Sequence, residues 1–510
     1  MRSGRPALVF LEVITKVNRY ARTMASRAAV LLIGVLAIAA TNISTQPVPA
    51  TAQSPSSWPM LKSKLKHIVV IYQENWSFDA LYGSFPGVNG LAGLTPGQYA
   101  QIDKITGAPL TALPQPLIGK AMPDPNFAPG MPVRPYSLNA YIQPSQLTGD
   151  IVHRFWQEQS QIDGGKMDKF VTWSDNPGLV LSNFDAAALP EGLLAAQYTL
   201  ADNYFHSAFG GSFFNHMWLI CACAPVFPHP PPAYYPTLDA SGKELALDAQ
   251  GNIVHDGSVT PDGYAVNTLF SINKPHPASV PLAGLMPNQT APTIGDRLSA
   301  AGVSWKWYSG GYAAALAGNP DPNFQYHHQP FVYFAKYADG TPAKRDHLLD
   351  EANFLADVRN GRLPAVSFVK PVGENNEHPG YSALLAGQQH VAALVSLLQQ
   401  SPYWHDTLII VTYDEHGGRW DHVAPPAGDR WGPGSRVPAI LISPWVKHGF
   451  VDHTQYETAS ILALIEKLHH LAPLGKRDAA ANPFGNAFDF TQTPRFAADG
   501  ATAAVARARR

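Results

Sequence analysis

The chain has 510 residues, of which 45% are hydrophobic and 15% are charged. This composition excludes a wholly disordered protein, and the length suffices for one large domain with insertions or for two domains. The formal net charge of −2 lacks the basic footprint of nucleic-acid-binding proteins, so no nucleic-acid partner is expected.

The N-terminal segment has the pattern of an export signal. Arginines precede the apolar run AAVLLIGVLAIAA, and a small-residue A-x-A site ends at Ala52. This run is shorter than the roughly 20 residues that span a bilayer, although an uncleaved anchor is the alternative. We therefore expect a signal peptide over 1–52, with a possible start at Met24, and a periplasmic or secreted bacterial protein without a stable membrane partner after cleavage.

Beyond the signal, short apolar runs rich in β-branched residues alternate with helical patterns. Runs that are apolar on both faces predict strands buried in a mostly parallel sheet, with helices covering both sides. The expected fold class is therefore α/β, in one domain over 53–510. The predicted strands are 66–72, 303–309, 363–370, 407–413 and 437–444, and the clearest helices are 387–400 and 458–471.

Residues 224–292 interrupt this alternation with many prolines and turn-forming residues. The segment predicts hairpins inserted into the α/β core. It forms either a lid over a functional site or a surface excursion without a role in that site.

The chain has two cysteines, Cys221 and Cys223. A disulfide between residues two apart is sterically awkward, and two cysteines alone do not make a zinc site. We expect both to be small, buried packing residues.

Acidic residues follow two of the predicted strands directly. HIVVIYQEN ends in Glu74 and Asn75, and IIVTYDEH contains Asp414 and Glu415. An isolated acidic pair is usually a solvated loop, but ligands in parallel sheets bind beyond the carboxyl ends of strands. Hard oxygen donors suit Mg²⁺, Ca²⁺ or Mn²⁺, and histidine nearby would admit Zn²⁺ or Fe.

A third motif is DNYFHSAFGGSFFNH, in which a Gly-Gly turn precedes Ser212 at the start of an apolar helix. Ser212 is either a helix cap or a hydroxyl presented to an anion at the helix N-terminus. Asn215, one turn later, is expected to donate to the same anion. A metal ion would lower the pKa of Ser212 and make it a nucleophile.

Histidine is the third element of the predicted site. Any single histidine is most often a structural hydrogen-bonding residue. Near an anion site, several protonated imidazoles would attract a phosphoryl group or protonate its leaving oxygen, with an optimum on the acid side of neutrality. The candidates are His153, His327, His328 and His378.

Several motifs in order resemble the bacterial phosphoesterase family, which includes secreted acid phosphatases and phosphatidylcholine-type phospholipases C on an alkaline-phosphatase-like core. The resemblance runs from about Lys66 to Phe490. Its motifs are QENWSFDALYG, DNYFHSAFGGSFFNH, HPG, YDEHGGRWDHVAPP, GPGSRVPAILISPWV and YETASIL.

The resemblance implies roles for particular residues of this chain. One divalent metal ion (Ca, Mg, Mn, Fe or Zn) would be held by Glu74, Asn75, Ser212, Asp414 and Glu415, with Ser212 also the nucleophile. The phosphoryl group would be surrounded by Asn75, Asn215, His153, His327, His328 and His378.

Two motifs distinguish the branches of the family. The phospholipase branch usually has Arg after the Glu-Asn pair and a Thr nucleophile followed by Asn-Arg. Here these positions hold Trp76, Ser212 and Asn215-His216, which are more similar to the acid phosphatase branch. We therefore expect a phosphatase acting on small phosphate monoesters through a phosphoserine. The alternatives are a phospholipase C and a non-catalytic surface binding protein.

Overall fold

The computed structural model describes residues 57–242 and 244–496. The predicted signal peptide lies outside these residues. Within the described part of the chain, no helix is both long enough and apolar enough to cross a membrane.

The domain is built on an eight-stranded sheet in the order β4-β3-β5-β1-β6-β7-β2-β8. Neighbouring strands are parallel except around β7, which is antiparallel to both β6 and β2. The predicted α/β class with a mostly parallel sheet is confirmed. The strands are β1 (His67–Gln73), β2 (Thr199–Ala201), β3 (Trp305–Ser309), β4 (Leu348–Asp350), β5 (Val366–Lys370), β6 (Thr407–Tyr413), β7 (Ala439–Ile442) and β8 (Phe450–Asp452).

Helices pack around this sheet and against one another. Leu384–Gln399 contacts Pro190–Ala195, and Ala459–His469 contacts Ser212–Cys221. Both predicted helices are present, with slightly different ends. The remaining α-helices are Ser57–Lys64, Phe78–Tyr82, Pro96–Tyr99, Phe155–Ile162, Ile294–Ala300, Tyr312–Leu316, Pro342–His347, Glu351–Arg359 and Lys476–Ala480.

The register of the two central strands determines where the acidic motifs meet. β1 and β6 are parallel, and their last residues, Gln73 and Tyr413, are paired. Glu74 and Asp414 therefore leave the sheet side by side at the same edge. Both strands are almost entirely buried, so burying their apolar side chains stabilises this register.

Residues 224–292 form a loop-rich segment held by isolated antiparallel bridges. Val226 pairs with Tyr264, and Val259 pairs with Ala265. A short parallel pair joins Phe270–Ser271 to Leu285–Met286. Part of the segment reaches the cavity described below.

The expectation for the cysteines was wrong, because Cys221 and Cys223 form a disulfide. Cys221 ends the helix Ser212–Cys221, and Ala222 then adopts a left-handed conformation with φ of +47°. This reversal places the two Cα atoms 5.1 Å apart, within the range that a disulfide spans. The helix end thus provides the geometry that a two-residue spacing rarely allows.

Candidate active site

Ser212 is the first residue of the helix Ser212–Cys221 and follows the Gly210-Gly211 turn. A Cβ on Gly210, whose φ is +84°, would lie 2.4 Å from the backbone nitrogen of Phe155, so the turn requires glycine. The N-cap residue is Gly211, and no side-chain cap bond is made. Instead the Ser212 hydroxyl points toward Glu74 Oε2 at 3.4 Å and Asn75 Oδ1 at 3.5 Å. The hydroxyl therefore faces Glu74 rather than capping its own helix. Glu74, Asp414 and Glu415 together form the acidic cluster of the site.

Asn75 joins the two strand ends to two of the histidines. Its backbone is left-handed, with φ of +66°, a conformation that surrounding contacts must hold in a non-glycine residue. Its N–H donates to Asp414 Oδ1 at 3.2 Å. Its amide nitrogen lies 3.1 Å from His153 Nε2 and 3.0 Å from His378 Nε2. The structure thus brings these residues together as predicted.

The acidic cluster has carboxylate oxygens that receive no hydrogen bond from the described residues. Asp414 Oδ1 accepts from the backbone of Asn75 and Glu415, and Glu415 Oε2 accepts from Gly417 N. Asp414 Oδ2 and Glu415 Oε1 are buried and accept no hydrogen bond from any described residue. Burial first, and then the neighbouring acids, raise the pKa of Asp414 and Glu415 well above their usual values.

Sequence reasoning missed Lys370, which brings a buried cation into this cluster. Its Nζ lies 2.5 Å from Glu74 Oε1 and 3.9 Å from Asp414 Oδ2. Burial opposes ionisation of Glu74, but His328 and Lys370 together hold its pKa well below the usual value. The sequence does contain a signal for Lys370. It is the last residue of the predicted strand 363–370, and Glu74 likewise lies at the end of a predicted strand.

His216 was also missed as a member of the cluster. Its Nδ1 donates to the Ser212 carbonyl at 2.7 Å and lies 3.9 Å from Asp414 Oδ2. The ring stacks on His328 with centroids 5.3 Å apart. Its Nε2 is buried without a hydrogen bond to any described residue, so it is a free acceptor or ligand atom next to the nucleophile.

The histidines are grouped as predicted, but their charge differs from the expectation. Burial lowers the pKa of His327 and His378, and burial together with Lys370 lowers the pKa of His328 to about 4. His328 Nε2 lies 2.7 Å from Glu74 Oε1. The expectation of several protonated imidazoles was therefore wrong, because burial disfavours their charged form. Near neutrality these rings act through hydrogen bonds.

An open cavity of about 360 Å³ gives access to this cluster. Among the predicted residues, its lining includes Glu74, His153, Ser212, His327 and His378. Asn75, His328, Asp414 and Glu415 lie in the layer behind, where they are almost fully buried. The segment 224–292 contributes Val266, Asn267 and Thr268 to the wall.

The predicted role of Asn215 as a substrate ligand does not match its position. The side chain is fully buried. Its amide nitrogen donates to the carbonyls of Ala208 and Gly210, and its oxygen accepts from Ala208 N. Through these hydrogen bonds the Asn215 amide holds the 208–211 loop in place. Asn215 therefore positions the turn before Ser212 and does not reach the cavity.

The donor set suits a divalent cation. Three carboxylates share one lysine, and Asp414 Oδ2 and Glu415 Oε1 are buried without a hydrogen bond from the described residues. Oxygen donors of this kind favour Mg²⁺, Ca²⁺ or Mn²⁺. Ligand atoms of Glu74, His216 and His328 also lie within 4.8 Å of one another, a mixed set that zinc or iron accepts.

Comparison with known proteins places the chain among enzymes named for phosphoester chemistry. It is 33% identical over 178 residues to "Non-specific phospholipase C6" of Arabidopsis thaliana, a match that covers 28% of this chain and 34% of that protein. It is 25% identical over 473 residues to "Phospholipase C B" of Mycobacterium tuberculosis, with 84% and 78% of the two chains covered. The chain thus spans about a third of the first relative's length.

A crystal structure of a protein in the alkaline phosphatase superfamily from Vibrio parahaemolyticus also matches. The TM-score is 0.31 at 14% identity, over 58% of this chain and 64% of that one. The model of the Phosphoesterase family, in contrast, matches residues 65–472, which include every strand of the sheet and every residue of the acidic cluster. The chain belongs to the phosphoesterase family.

Proposed function

We propose that the protein is an exported, metal-dependent acid phosphatase that hydrolyses small phosphate monoesters through a phosphoserine. The observation that carries the proposal is the placement of the Ser212 hydroxyl. It lies at a helix N-terminus, lines the cavity and faces Glu74 and Asn75. A helix N-terminus favours an anion, and the adjacent carboxylates suit a cation that would activate the hydroxyl.

In the proposed reaction, Ser212 Oγ bonds to phosphorus while the bond to the ester oxygen breaks. Water then cleaves the phosphoserine and releases phosphate. Glu74, Asn75, Ser212, Asp414 and Glu415 would hold the metal ion, whose positive charge would favour ionisation of the serine. The Asn75 amide holds His153 and His378, which line the cavity and orient the phosphoryl group.

The histidines support activity in mild acid. His327 Nε2 is buried, lines the cavity side of the site and has no hydrogen bond to a described residue, so it is placed to donate to the leaving oxygen. His328, with a pKa of about 4, keeps the same neutral form from neutral pH down to about that value. The hydrogen bonding of His328 is therefore unchanged between about pH 5 and 7.

A phospholipase C is the second candidate, and it is favoured by the names of both curated relatives. Against it stand the polar donors in the cavity. A monoester has three non-bridging oxygens to pair with them, whereas a diester leaves some donors unpaired, at roughly 1–3 kcal/mol each. Trp76 is fully buried and donates to the Glu377 carbonyl, so it does not discriminate the two substrates directly.

The substrate class is tested by measuring kcat/KM for a small aryl phosphate and for dispersed phosphatidylcholine. We expect the aryl phosphate to have the higher value. A higher value for the lipid would replace the phosphatase with the phospholipase C. No turnover of either substrate by metal-loaded protein would favour a binding protein.

The nucleophile is tested with Ser212→Ala, which we expect to reduce kcat by at least about 1,000-fold, because the covalent route is removed. Ser207→Ala is the matched control, since Ser207 is a buried serine that donates to Glu457 outside the cavity. Denatured wild-type enzyme trapped during turnover should carry phosphate on Ser212. A loss below tenfold with normal metal content would contradict the assignment.

A further inference from the structure

Tyr381 lies at the cavity beside His378, and neither the motif analysis nor the proposed mechanism uses it. It lines the same cavity as Ser212. Its ring stacks on the His378 imidazole, with centroids 4.3 Å apart and planes 23° from parallel. His378 in turn contacts the Asn75 amide at 3.0 Å. The phenol is thus packed directly against a residue expected to contact the phosphoryl group.

The Tyr381 hydroxyl is buried although part of the ring is exposed. Its oxygen makes no hydrogen bond of good geometry with any described residue. Buried polar groups are normally satisfied by protein, water or a ligand. A buried phenol at the wall of a cavity, whose hydrogen has no acceptor among the described residues, therefore indicates that something accepts a hydrogen bond there.

Tyr381 lines the same cavity as Ser212, which is where the proposed function requires an anionic phosphoryl group. Burial first, and then the charge of Glu74, raise the pKa of Tyr381 well above the usual value, with further contributions from Asp414 and Asp150. The hydroxyl therefore lies within the electrostatic field of the cluster and remains protonated. A protonated phenol donates one hydrogen bond, and anionic oxygen is the strongest acceptor that such a donor meets.

We propose that the Tyr381 hydroxyl donates a hydrogen bond to a non-bridging oxygen of the substrate's phosphoryl group. The inference rests on the proposed function, because it requires a phosphoryl group next to Ser212. His378 holds the phenol in place by ring stacking. The hydroxyl would bind transferred phosphoryl groups regardless of the leaving group, so inorganic vanadate and phosphate are suitable probes.

The test compares vanadate and phosphate binding by wild-type enzyme and by Tyr381→Phe, using calorimetric titration of metal-loaded protein. Phenylalanine retains the ring stack and removes only the hydroxyl. We expect vanadate to bind about 10- to 100-fold more weakly, the loss typical of one hydrogen bond to a charged group. kcat/KM should fall by a similar factor for aryl phosphates with good and with poor leaving groups.

Tyr312→Phe is the matched control. The Tyr312 hydroxyl is also buried without a hydrogen bond to a described residue, but Tyr312 does not line this cavity. Vanadate affinity should remain within twofold of wild type. If vanadate binds tightly to wild type and equally tightly to Tyr381→Phe, the proposed hydrogen bond from Tyr381 is wrong, while the proposed function is unaffected. A wild-type protein that binds neither vanadate nor phosphate would overturn the proposed function as well.

Discussion

Asp414 and Lys370 set the charge of the candidate metal site in opposite directions. Asp414 Oδ2 is a buried carboxylate oxygen without a hydrogen bond to a described residue, and Lys370 Nζ lies 2.5 Å from Glu74 Oε1. A cation binding here replaces protons on the acids, whose pKa values are raised. Binding should therefore release protons and strengthen as the pH rises.

We expect the affinity for Mn²⁺ to fall at least tenfold in Asp414→Asn and to rise in Lys370→Met. The first change removes a negative charge from the cluster, and the second removes the competing cation. Calorimetric titration of metal-free protein at pH 7 measures both. Asp103→Asn, at an exposed acid that accepts from Thr106, should change nothing. If the affinity for Mn²⁺ changed in the same direction in Asp414→Asn and in Lys370→Met, the electrostatic explanation would be contradicted.

At the scale of elements, the loop before Ser212 is held by a buried acid on the helix Phe155–Ile162. Glu158 accepts from His206 Nε2 at 2.9 Å, Gly210 N at 2.6 Å and Ser435 N at 2.9 Å. Although burial opposes ionisation, His206 and His416 lower the pKa of Glu158 to about 2. The carboxylate is therefore charged at every pH at which the enzyme is expected to work.

Glu158→Gln should reduce stability by about 3 kcal/mol, the scale for breaking a buried charged pair. It should also lower kcat more than it raises KM, because the Gly210-Gly211 turn positions Ser212. Urea unfolding and steady-state kinetics measure the two effects. Glu466→Gln is the control, because burial raises the pKa of Glu466 to about 8, so this acid is largely neutral at pH 7. An equal loss of stability and of kcat in both variants would contradict the proposal that Glu158 holds the loop before Ser212.

At the scale of the whole molecule, buried histidines oppose stability in acid. His328 and His416 each have a pKa of about 4, lowered mainly by burial, against about 6.5 in an unfolded chain. Between these values the unfolded chain binds more protons, so stability falls as the pH is lowered from about 6.5 toward 4. Glu377 has the opposite effect, because its pKa is raised to about 7, mainly by burial, and its contribution is lost as the pH rises through that value.

His416→Asn isolates one of these contributions. Asparagine retains a donor for the Arg419 carbonyl, which His416 Nδ1 contacts at 3.2 Å, but it does not titrate. We expect the loss of unfolding free energy between pH 6.5 and 4.5 to be smaller in the variant, by on the order of 1–3 kcal/mol. Urea titrations at the two pH values measure it. An unchanged pH dependence would mean that folding does not lower the pKa of His416.

The sequence by itself determined the sheet and the meeting of its acidic motifs. Apolar runs on both faces are enough to predict β1 and β6, because only a covered parallel sheet buries such strands. Side chains that directly follow two such strands meet at one edge, as Glu74 and Asp414 do. Ser212, His153, His327, His328 and His378 were candidates from their local sequence, and the resemblance assigned them to one site, since no local pattern relates segments so far apart.

Only the tertiary structure decided the surroundings of those residues. Lys370 enters the cluster through the neighbouring strand β5, and Asn215 turns inward to bind loop carbonyls. The histidine pKa values are lowered because burial removes water from the rings, and the Tyr381 hydroxyl is buried beside the cavity. Orientation, burial and electric field depend on contacts between distant segments, and the order of residues along the chain does not contain them.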